Sequence, residues 1–470
     1  MSLATSVPLR LVRQERTALQ AIAEVRAGHM SPLDLVNEAM ARIDEVDGRI
    51  NAMPVRSFER AHAQARAMTE ALARGNEPTL LCGLPMAVKD NSDVGGVPTS
   101  GGSPITAGRV PEESDPAIAR LEGQGAITLG KTNLSELGGA NTVNSLFGAT
   151  LNPFDTTLTV GGSSGGSAAA LASGQVYLAH GNDVGGSLRT PAAFCGVAGL
   201  RPTPGLVARK RAADPFDQVF VEGPMARNVA DLGLMLDAMA GAERHDLLSW
   251  PSAGGYLAAA MSPEPPSFIA ASSDLGVLSV SAEIRNDFAA IADAMAAQGV
   301  NIEAAHPDFT GLGDMIRTLR GATYAVNWQG HWPVRSHDFT GDVAGDIVRG
   351  LALSGAQIAT ATRRRGEFYR RMIAFFEKYP VLVTPVTQVK PFPVTQKWPT
   401  EIEGVPQGHY TDWIAITYAW SMLGCPALAV PLGYDAQGLP MALQVIGPPR
   451  SEARLLSVGA WLEASIRFRT

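Results

Sequence analysis

Apolar residues recur at helical spacing early in the chain. Residues 31–47 carry one apolar stripe of the kind found on the buried face of an amphipathic helix, formed by Val36, Ala39, Met40, Ile43 and Val46. Ser31 suits the N-cap and Pro32 the first helical position. Gly48 suits the residue that ends the helix. A second, alanine-rich helix is predicted over residues 57–74.

From residue 80 onward, short apolar runs lie between glycine and proline. They predict strands over 84–88, 126–129, 381–385 and 427–431. Helical patterns alternate with them, over 118–121, 167–172, 229–239 and 281–298. The stretch 386–412, rich in proline and glycine, is predicted to be a loop. Such alternation predicts an α/β fold with helices on both faces of a sheet.

Composition narrows the class of protein. The 470 residues include 49 glycines, only 18% are charged, and the net charge is −7, which argues against disorder and against a nucleic-acid surface. The three cysteines lack CxxC spacing, so neither a disulfide framework nor a zinc site is expected. The N-terminal residues lack an apolar signal segment, and no apolar run is long enough to span a membrane. We therefore expect a cytoplasmic enzyme.

Two serines lie in a stretch that is dense in glycine. They are Ser163 and Ser187, within residues 161–206, GGSSGGSAAALASGQVYLAHGNDVGGSLRTPAAFCGVAGLRPTPGL. Glycines allow sharp turns and expose backbone N–H groups to an anion. Lys89 follows the predicted strand 84–88, and a lysine on a buried strand loses solvation, which lowers its pKa and suits a base. Alone, each would be an ordinary turn serine or paired lysine; together they indicate a hydrolytic site.

Two other motifs give rival interpretations. Residues 125–132 match the phosphate-binding pattern GxxxxGK[ST], but their apolar middle favours a strand over a loop. Residues 161–165 match G-x-S-x-G, the nucleophile elbow of α/β-hydrolase esterases. That elbow requires a preceding apolar strand and a later acid and histidine. Loop-like residues precede it here, and no later histidine has a suitable context.

Longer motifs support the serine–lysine interpretation. They are GLPMAVKDN (83–91), GAITLGKTNLSEL (125–137), GGSSGGSAAA (161–170), DVGGSLRTPAAFCGVAGLRPT (183–203) and GPMARNVADLGLMLDAMAG (223–241). With these motifs the chain resembles the amidase signature family, from about residue 17 to the C-terminus. The resemblance implies an α/β amidase-signature fold, with a large mixed central β-sheet covered by helices on both faces.

The resemblance also implies one amidase domain over residues 1–470. Its parts are N-terminal helices at about 15–75, a signature core at about 80–240, a variable substrate-pocket region at about 245–420, and C-terminal strands and a helix at about 421–470. Family members use no cofactor and no metal. The implied partners are a small-molecule amide and water, without nucleic acid or membrane, and a homodimer is compatible because many relatives dimerise.

The catalytic roles follow residue by residue from the resemblance. Ser187 matches the nucleophile, Ser163 the bridging serine on a cis peptide bond, and Lys89 the general base. The implied oxyanion donors are the backbone N–H groups of Val184, Gly185, Gly186 and Ser187. Supporting roles fall to Ser164, which would add to the relay, and to Asp183 and Arg189, which would hold the loop by charge-assisted hydrogen bonds.

The substrate is expected to be bulky. The family often has a large residue where this chain has Gly139, and threonine where it has Asn182. The expected pocket residues are Gly138, Gly139, Ala140, Trp328, Trp332 and Trp413. A small segment facing an aromatic wall suits an aryl or apolar amide, with esters and carbamates as side substrates.

One alternative lies inside the family. The glutamine-hydrolysing component of the tRNA-dependent amidotransferase, which supplies ammonia for transamidation, carries the same motifs. Its usual SLDxxGP string is replaced here by residues 216–224, FDQVFVEGP, and no glutamine-binding signature is evident.

Overall fold

A mixed β-sheet of eleven strands runs through the protein. The computed structural model describes residues 16–139, 141–209 and 214–468. The strands are β1 Val55–Arg56, β2 Pro85–Lys89, β3 Ile127–Thr132, β4 Val143–Asn144, β5 Gly148–Ala149, β6 Leu178–Asp183, β7 Ala198–Arg201, β8 Val221–Ala226, β9 Phe268–Ala271, β10 Asn301–Ala304, β11 Leu382–Pro385, β12 Glu401–Ile402, β13 Val405–Pro406, β14 Ala427–Tyr434 and β15 Pro440–Ile446.

Helices connect most of these strands. They are α1 Ala18–Arg26, α2 Pro32–Ile50, α3 Phe58–Ala73, α4 Pro116–Gly123, α5 Gly165–Ala172, α6 Arg189–Cys195, α7 Val229–Met239, α8 Tyr256–Ala260, α9 Ala282–Ala297, α10 Leu312–Trp328, α11 Gly341–Leu351, α12 Gly355–Lys378, α13 Ala415–Met422 and α14 Glu452–Ser465. Of the described residues, none belongs to a helix with the length and hydrophobicity needed to cross a membrane.

The large sheet combines parallel and antiparallel pairing. Its order is β1-β3-β2-β6-β8-β7-β14-β15-β11-β9-β10. Strand β2 runs parallel to β3 and β6, and β9 runs parallel to β10 and β11. The strands from β6 to β11 along this order pair antiparallel. The predicted large mixed α/β sheet is therefore confirmed.

Strand β2 shows how the sheet separates two apolar layers. Met86 and Val88 pack in one core cluster with helices such as α7 and α14, whereas Ala87 packs in another with α2 and α5. Successive side chains of a strand point to opposite faces. Lys89 therefore shares the face of Ala87, the same side as the helix that follows the first glycine–serine cluster.

The first predicted helix is confirmed, except at its end. Ser31 caps α2 and forms a capping box with Asp34. The helix continues through Gly48, so the predicted stop there was wrong. It ends at Ile50, and Asn51 is the left-handed C-cap. Asn51 Nδ2 also donates to the Phe147 carbonyl at 2.7 Å. This tertiary contact and the burial of Ile50 extend the helix by a further half turn.

The other predicted elements are present with shifted ends. Helix α7 has the predicted bounds, and β3 runs three residues beyond the prediction into a buried lysine. The predicted loop 386–412 is mainly irregular but contains a small antiparallel hairpin of β12 and β13.

Substituting Gly48→Ala should stabilise the protein. Gly48 is an exposed residue inside α2 with helical geometry, and an added Cβ would meet no atom within 4 Å. Alanine at such a position gains about 0.5–1 kcal/mol in the free energy of unfolding, to be measured by urea denaturation. Gly28 is the matched control: its surroundings are equally open, but its φ is +71°, so Gly28→Ala should destabilise. Equal effects of the two substitutions would contradict this account.

Candidate active site

Lys89 ends strand β2 inside the protein, without solvent exposure. Its Nζ lies 2.7 Å from Ser163 Oγ and 2.6 Å from Asn182 Oδ1. Burial lowers the Lys89 pKa from 10.5 to about 7, although the carboxylates of Glu222 and Asp183 oppose the change. A large fraction of this amine is therefore neutral near pH 7, as a general base requires.

Asn182 holds the amine of Lys89 from the neighbouring strand β6. Its Nδ2 donates to Asn91 Oδ1 at 2.8 Å, which turns its own Oδ1 toward Lys89. A neutral amine has two N–H bonds and one lone pair. Because Asn182 accepts one N–H, the lone pair is left for the hydroxyl of Ser163. The sequence showed Asn182 only as a departure from the usual threonine; the adjacency of β2 and β6 gives it this contact.

Ser163 and Ser187 lie on two loops that meet. The peptide bond Gly162–Ser163 is cis, and Ser163 is almost fully buried just before α5. Ser187 follows β6 and is partly exposed. The Ser164 N–H donates to the Ser187 carbonyl at 3.2 Å, which ties the loops together. Within the described ranges no hydrogen bond joins the hydroxyls of Ser163 and Ser187, but both side chains line one cavity.

Asp183 organises the loop that carries Ser187. Its carboxylate accepts the backbone N–H groups of Gly186 at 2.9 Å and Leu188 at 3.1 Å. It also pairs with Arg189 at 3.0 Å and Arg201 at 3.2 Å. Burial alone would raise the Asp183 pKa, but the two guanidinium groups hold it well below its usual range. The carboxylate therefore stays charged and fixes the turn.

Arg189 connects this loop to the opposite side of the site. Its Nη1 donates to the Thr417 carbonyl at 2.9 Å and to Gln444 Oε1 at 2.7 Å, and its Nη2 donates to Ser421 Oγ at 2.7 Å. These partners belong to α13 and β15. The fully buried guanidinium therefore fixes the position of α13 relative to the Ser187 loop.

Two glycines allow α13 to pack against the loop backbone. A Cβ on Gly185 would lie 2.8 Å from the Tyr418 ring, and one on Gly186 would lie 2.2 Å from Thr417 Oγ1. Gly186 also has a φ of +120°, which other residues rarely adopt. Only glycine fits this approach.

The oxyanion donors differ from the expectation at one position. Gly186 donates its N–H to Asp183, so it is not free to meet an oxyanion. The N–H groups of Val184, Gly185 and Ser187 donate to no other residue that the structure describes. The carboxylate that shapes the turn thus uses one of the four predicted donors.

Ser164 also differs from its expected role. Its hydroxyl donates to the backbone carbonyl of Asn182 at 3.2 Å and has no contact with Lys89. It therefore connects the two loops and takes no part in the chain of hydroxyls and amine.

A cavity of about 490 Å³ opens onto these residues. Its lining includes Ser163, Asn182, Val184, Ser187, Gly138 and Trp328. Of the six predicted pocket residues, only Gly138 and Trp328 belong to it. Gly139 closes a short turn by donating to the Glu136 carbonyl at 3.0 Å and does not line the cavity. Ala140 lies outside the described residues.

The two other predicted tryptophans lie elsewhere, so these predictions were wrong. Trp413 is fully buried, stacks on Phe194 and packs against Phe392 in a separate apolar cluster. Trp332 packs against Phe339, outside the cavity lining. Both rings bury apolar area against aromatic neighbours.

The cavity wall contains residues that the sequence did not indicate. Arg320, Tyr324 and Tyr418 line it. Arg320 is almost fully buried within α10, where Ile316 and Tyr324, each four residues away, are also buried. A charged residue in the apolar stripe of a helix was the available signal.

The two rival motifs have no matching structure. Residues 127–132 form strand β3, and the motif's Lys131 is buried, with Nζ 2.7 Å from Thr99 Oγ1 and 3.4 Å from Asp90 Oδ1. It therefore contacts protein groups rather than a phosphate-binding loop. The glycine–serine cluster at 161–165 follows irregular chain, where a nucleophile elbow would follow a strand.

Comparisons with known proteins agree with this geometry. The amidase family model matches residues 34–456. An acylamidase of Rhodococcus erythropolis is 32% identical over 95% of both chains. The GatA-type component of the glutamyl-tRNA(Gln) amidotransferase of Moorella thermoacetica is 34% identical over 91% of this chain and 92% of its own. The solved structure of a bacterial aryl acylamidase of the amidase signature family superposes with a TM-score of 0.90 over 98% of both chains, at 24% identity.

The chain therefore belongs to the amidase signature family. It is an enzyme that hydrolyses amides, and the relatives of two kinds leave its substrate open.

The pH dependence of hydrolysis should follow Lys89. Because the amine acts only when neutral, kcat/KM should rise with pH and reach half its plateau near the Lys89 pKa of about 7. Asn182→Asp places a negative charge beside Nζ, so the midpoint should move up by about 1–3 pH units. The measurement is kcat/KM across the pH range in which the fold is intact. A midpoint that Asn182→Asp leaves in place would contradict the assignment.

Gly186→Ala should disrupt the Ser187 loop. The added Cβ collides with Thr417 and imposes an unfavourable φ, so stability should fall by about 1–3 kcal/mol. Displacing the loop by about 1 Å should lower kcat/KM about 100-fold. Urea denaturation and steady-state kinetics measure the two effects. Gly48→Ala, in open space, serves as control and should retain full activity.

Proposed function

We propose that this enzyme cleaves amides through an acyl-enzyme on Ser187, with Ser163 and Lys89 carrying the proton. The observation that supports this most directly is the 2.7 Å contact between Lys89 Nζ and Ser163 Oγ, made in full burial by an amine whose pKa is about 7. No other lysine of the described chain contacts a serine that lines the cavity.

The first half-reaction forms the acyl-enzyme. Neutral Lys89 accepts the Ser163 proton while Ser163 accepts the Ser187 proton, and Ser187 Oγ bonds to the carbonyl carbon. The resulting oxyanion is stabilised by the N–H groups of Val184, Gly185 and Ser187. Removing one such donor typically costs about 2.7–4 kcal/mol in the barrier.

The second half-reaction returns the enzyme to its starting state. The relay delivers the proton to the leaving nitrogen, the C–N bond breaks, and the amine departs. Water then attacks the ester carbon and passes a proton back along the same chain, which releases the carboxylic acid and restores the Ser187 hydroxyl. Closing this relay requires the two serine hydroxyls to approach each other when substrate is bound.

The favoured substrates are aryl or bulky apolar amides, with esters and carbamates as side substrates. The cavity is large enough for such a group, and apolar side chains dominate parts of its wall, including Leu137, Val219, Trp328 and Met422. The similarity to the acylamidase of Rhodococcus erythropolis also favours an acyl amide.

The second candidate is the glutamine-hydrolysing component of a tRNA-dependent amidotransferase. It is favoured by the 34% identity to the Moorella thermoacetica protein, which matches the acylamidase similarity. This alternative predicts glutaminase activity that rises when the other components of the complex are added. Full turnover of aryl amides by the chain alone, without glutaminase stimulation, decides against it.

Alanine substitutions test the proposed roles. Lys89→Ala and Ser187→Ala should each lower kcat by about 10³-fold or more, because members of one relay fail as a unit. Ser163→Ala should also lose most activity. Ser164→Ala is the neighbouring control and should lose much less, because its hydroxyl only bonds the Asn182 carbonyl. Release of p-nitroaniline from acyl p-nitroanilides provides the rate.

Two results would overturn the mechanism. The first is full activity in Lys89→Ala, which a histidine-dependent hydrolase would show. The second is a fluorophosphonate adduct found by peptide mass spectrometry on a residue other than Ser187. For the substrate class, a strong preference for acetamide or malonamide over aryl amides would overturn the proposal while leaving the mechanism intact.

A further inference from the structure

Arg320 lies at the centre of a buried cage beside the cavity. Its Nε donates to Asp346 Oδ2 at 2.7 Å, so the guanidinium charge is neutralised within the protein. The rings of Tyr324, Tyr410 and Tyr418 surround it, with centroids 4.5, 4.9 and 5.9 Å from its Cζ. Helices α10, α11 and α13 and the segment before α13 together build this cage.

The three tyrosine hydroxyls have different partners. Tyr324 donates to the Leu137 carbonyl at 2.9 Å, and Tyr410 donates to Asp346 at 2.6 Å. Tyr418 accepts from Arg320 Nη1 at 3.2 Å, and its own proton reaches no acceptor among the described residues. A buried hydroxyl proton is normally satisfied. Because Tyr418 lines the cavity, the missing acceptor belongs to whatever occupies that cavity.

Tyr418 is held rigidly beside the reacting centre. Its ring packs so closely on Gly185 that a Cβ there would lie 2.8 Å away. Its neighbour Thr417 donates to the Gly185 carbonyl at 2.7 Å. Burial raises the Tyr418 pKa, so the hydroxyl remains a donor at neutral pH. The donor therefore has a fixed position relative to Ser187.

We propose that Tyr418, polarised by Arg320, donates a hydrogen bond to a neutral oxygen acceptor on the substrate, outside the scissile amide. An ether or carbonyl oxygen on the acyl or the amine portion fits this chemistry. A carboxylate fits less well, because Asp346 already balances Arg320, and Asp214 and Asp217 also line the cavity. This selectivity rests on the proposed hydrolysis at Ser187.

The test uses pairs of anilides that differ by one oxygen. Methoxyacetyl and butyryl p-nitroanilide differ on the acyl side, and 4-methoxyacetanilide and 4-ethylacetanilide differ on the amine side. The measured quantity is the kcat/KM ratio of the ether to its hydrocarbon partner. Since an ether oxygen also changes intrinsic reactivity, the ratio is compared between enzymes and not taken alone.

Tyr418→Phe should lower this ratio about tenfold in at least one pair, because it removes one hydrogen bond and keeps the ring. Tyr410→Phe is the matched control. It loses a hydroxyl from the same cage, but Tyr410 does not line the cavity, so the ratio should remain that of the wild type. Thermal unfolding and fluorophosphonate labelling of Ser187 verify that each variant is folded and competent.

The outcomes separate the two proposals. An unchanged ratio in both pairs for a folded, labelled Tyr418→Phe overturns the donor role and leaves hydrolysis at Ser187 intact. A carboxylate-bearing succinanilate that wild type prefers to both ethers, with the preference lost in Tyr418→Phe, overturns the neutral acceptor. A wild-type enzyme that neither cleaves these anilides nor labels at Ser187 overturns the proposed function itself.

Discussion

The buried carboxylate of Asp183 is the interaction on which the rest of the site depends. It accepts two backbone N–H groups of the Ser187 loop and pairs with Arg189 and Arg201. Arg189 extends the network to α13 and β15. Breaking a buried pair by removing one partner costs about 3–5 kcal/mol, since the other charge stays buried. Loop conformation and the position of the cavity wall are thus set by one charged cluster.

The same cluster explains why α13 contributes to both sides of the site. Thr417 and Ser421 bond to Arg189 on one side of the helix, and Tyr418 touches Gly185 and Arg320 on another. The absence of a side chain at Gly185 makes that contact possible. A single short helix therefore connects the geometry of the nucleophile loop with the composition of the substrate cavity.

The sequence predicted those features that depend on local pattern. Helix α7 and the strand that presents Lys89 follow from periodicity, and the proximity of Lys89 to Ser163 follows from the family motifs. What it could not predict was decided by partners distant in the chain. Trp413 looked like a pocket aromatic, but it packs on Phe194, more than 200 residues earlier.

Other differences have the same physical origin. Gly48 did not end α2, because Asn51 finds carbonyl partners near residue 147 and Ile50 is buried. Gly186 did not supply a free N–H, because the Asp183 carboxylate folds back onto it. Arg320 went unnoticed because its meaning depends on Asp346 and three tyrosines brought together by other helices and loops.

The burial of Lys89 sets activity against stability. An amine whose pKa falls from 10.5 to about 7 on folding takes up a proton when the chain unfolds at neutral pH. At pH 7 this favours the unfolded state by an amount on the order of 4 kcal/mol, a large share of the net stability of a typical protein. The extensive apolar layers on both sides of β2 therefore do more than shape the sheet. They offset the thermodynamic penalty of keeping a reactive base uncharged in the interior.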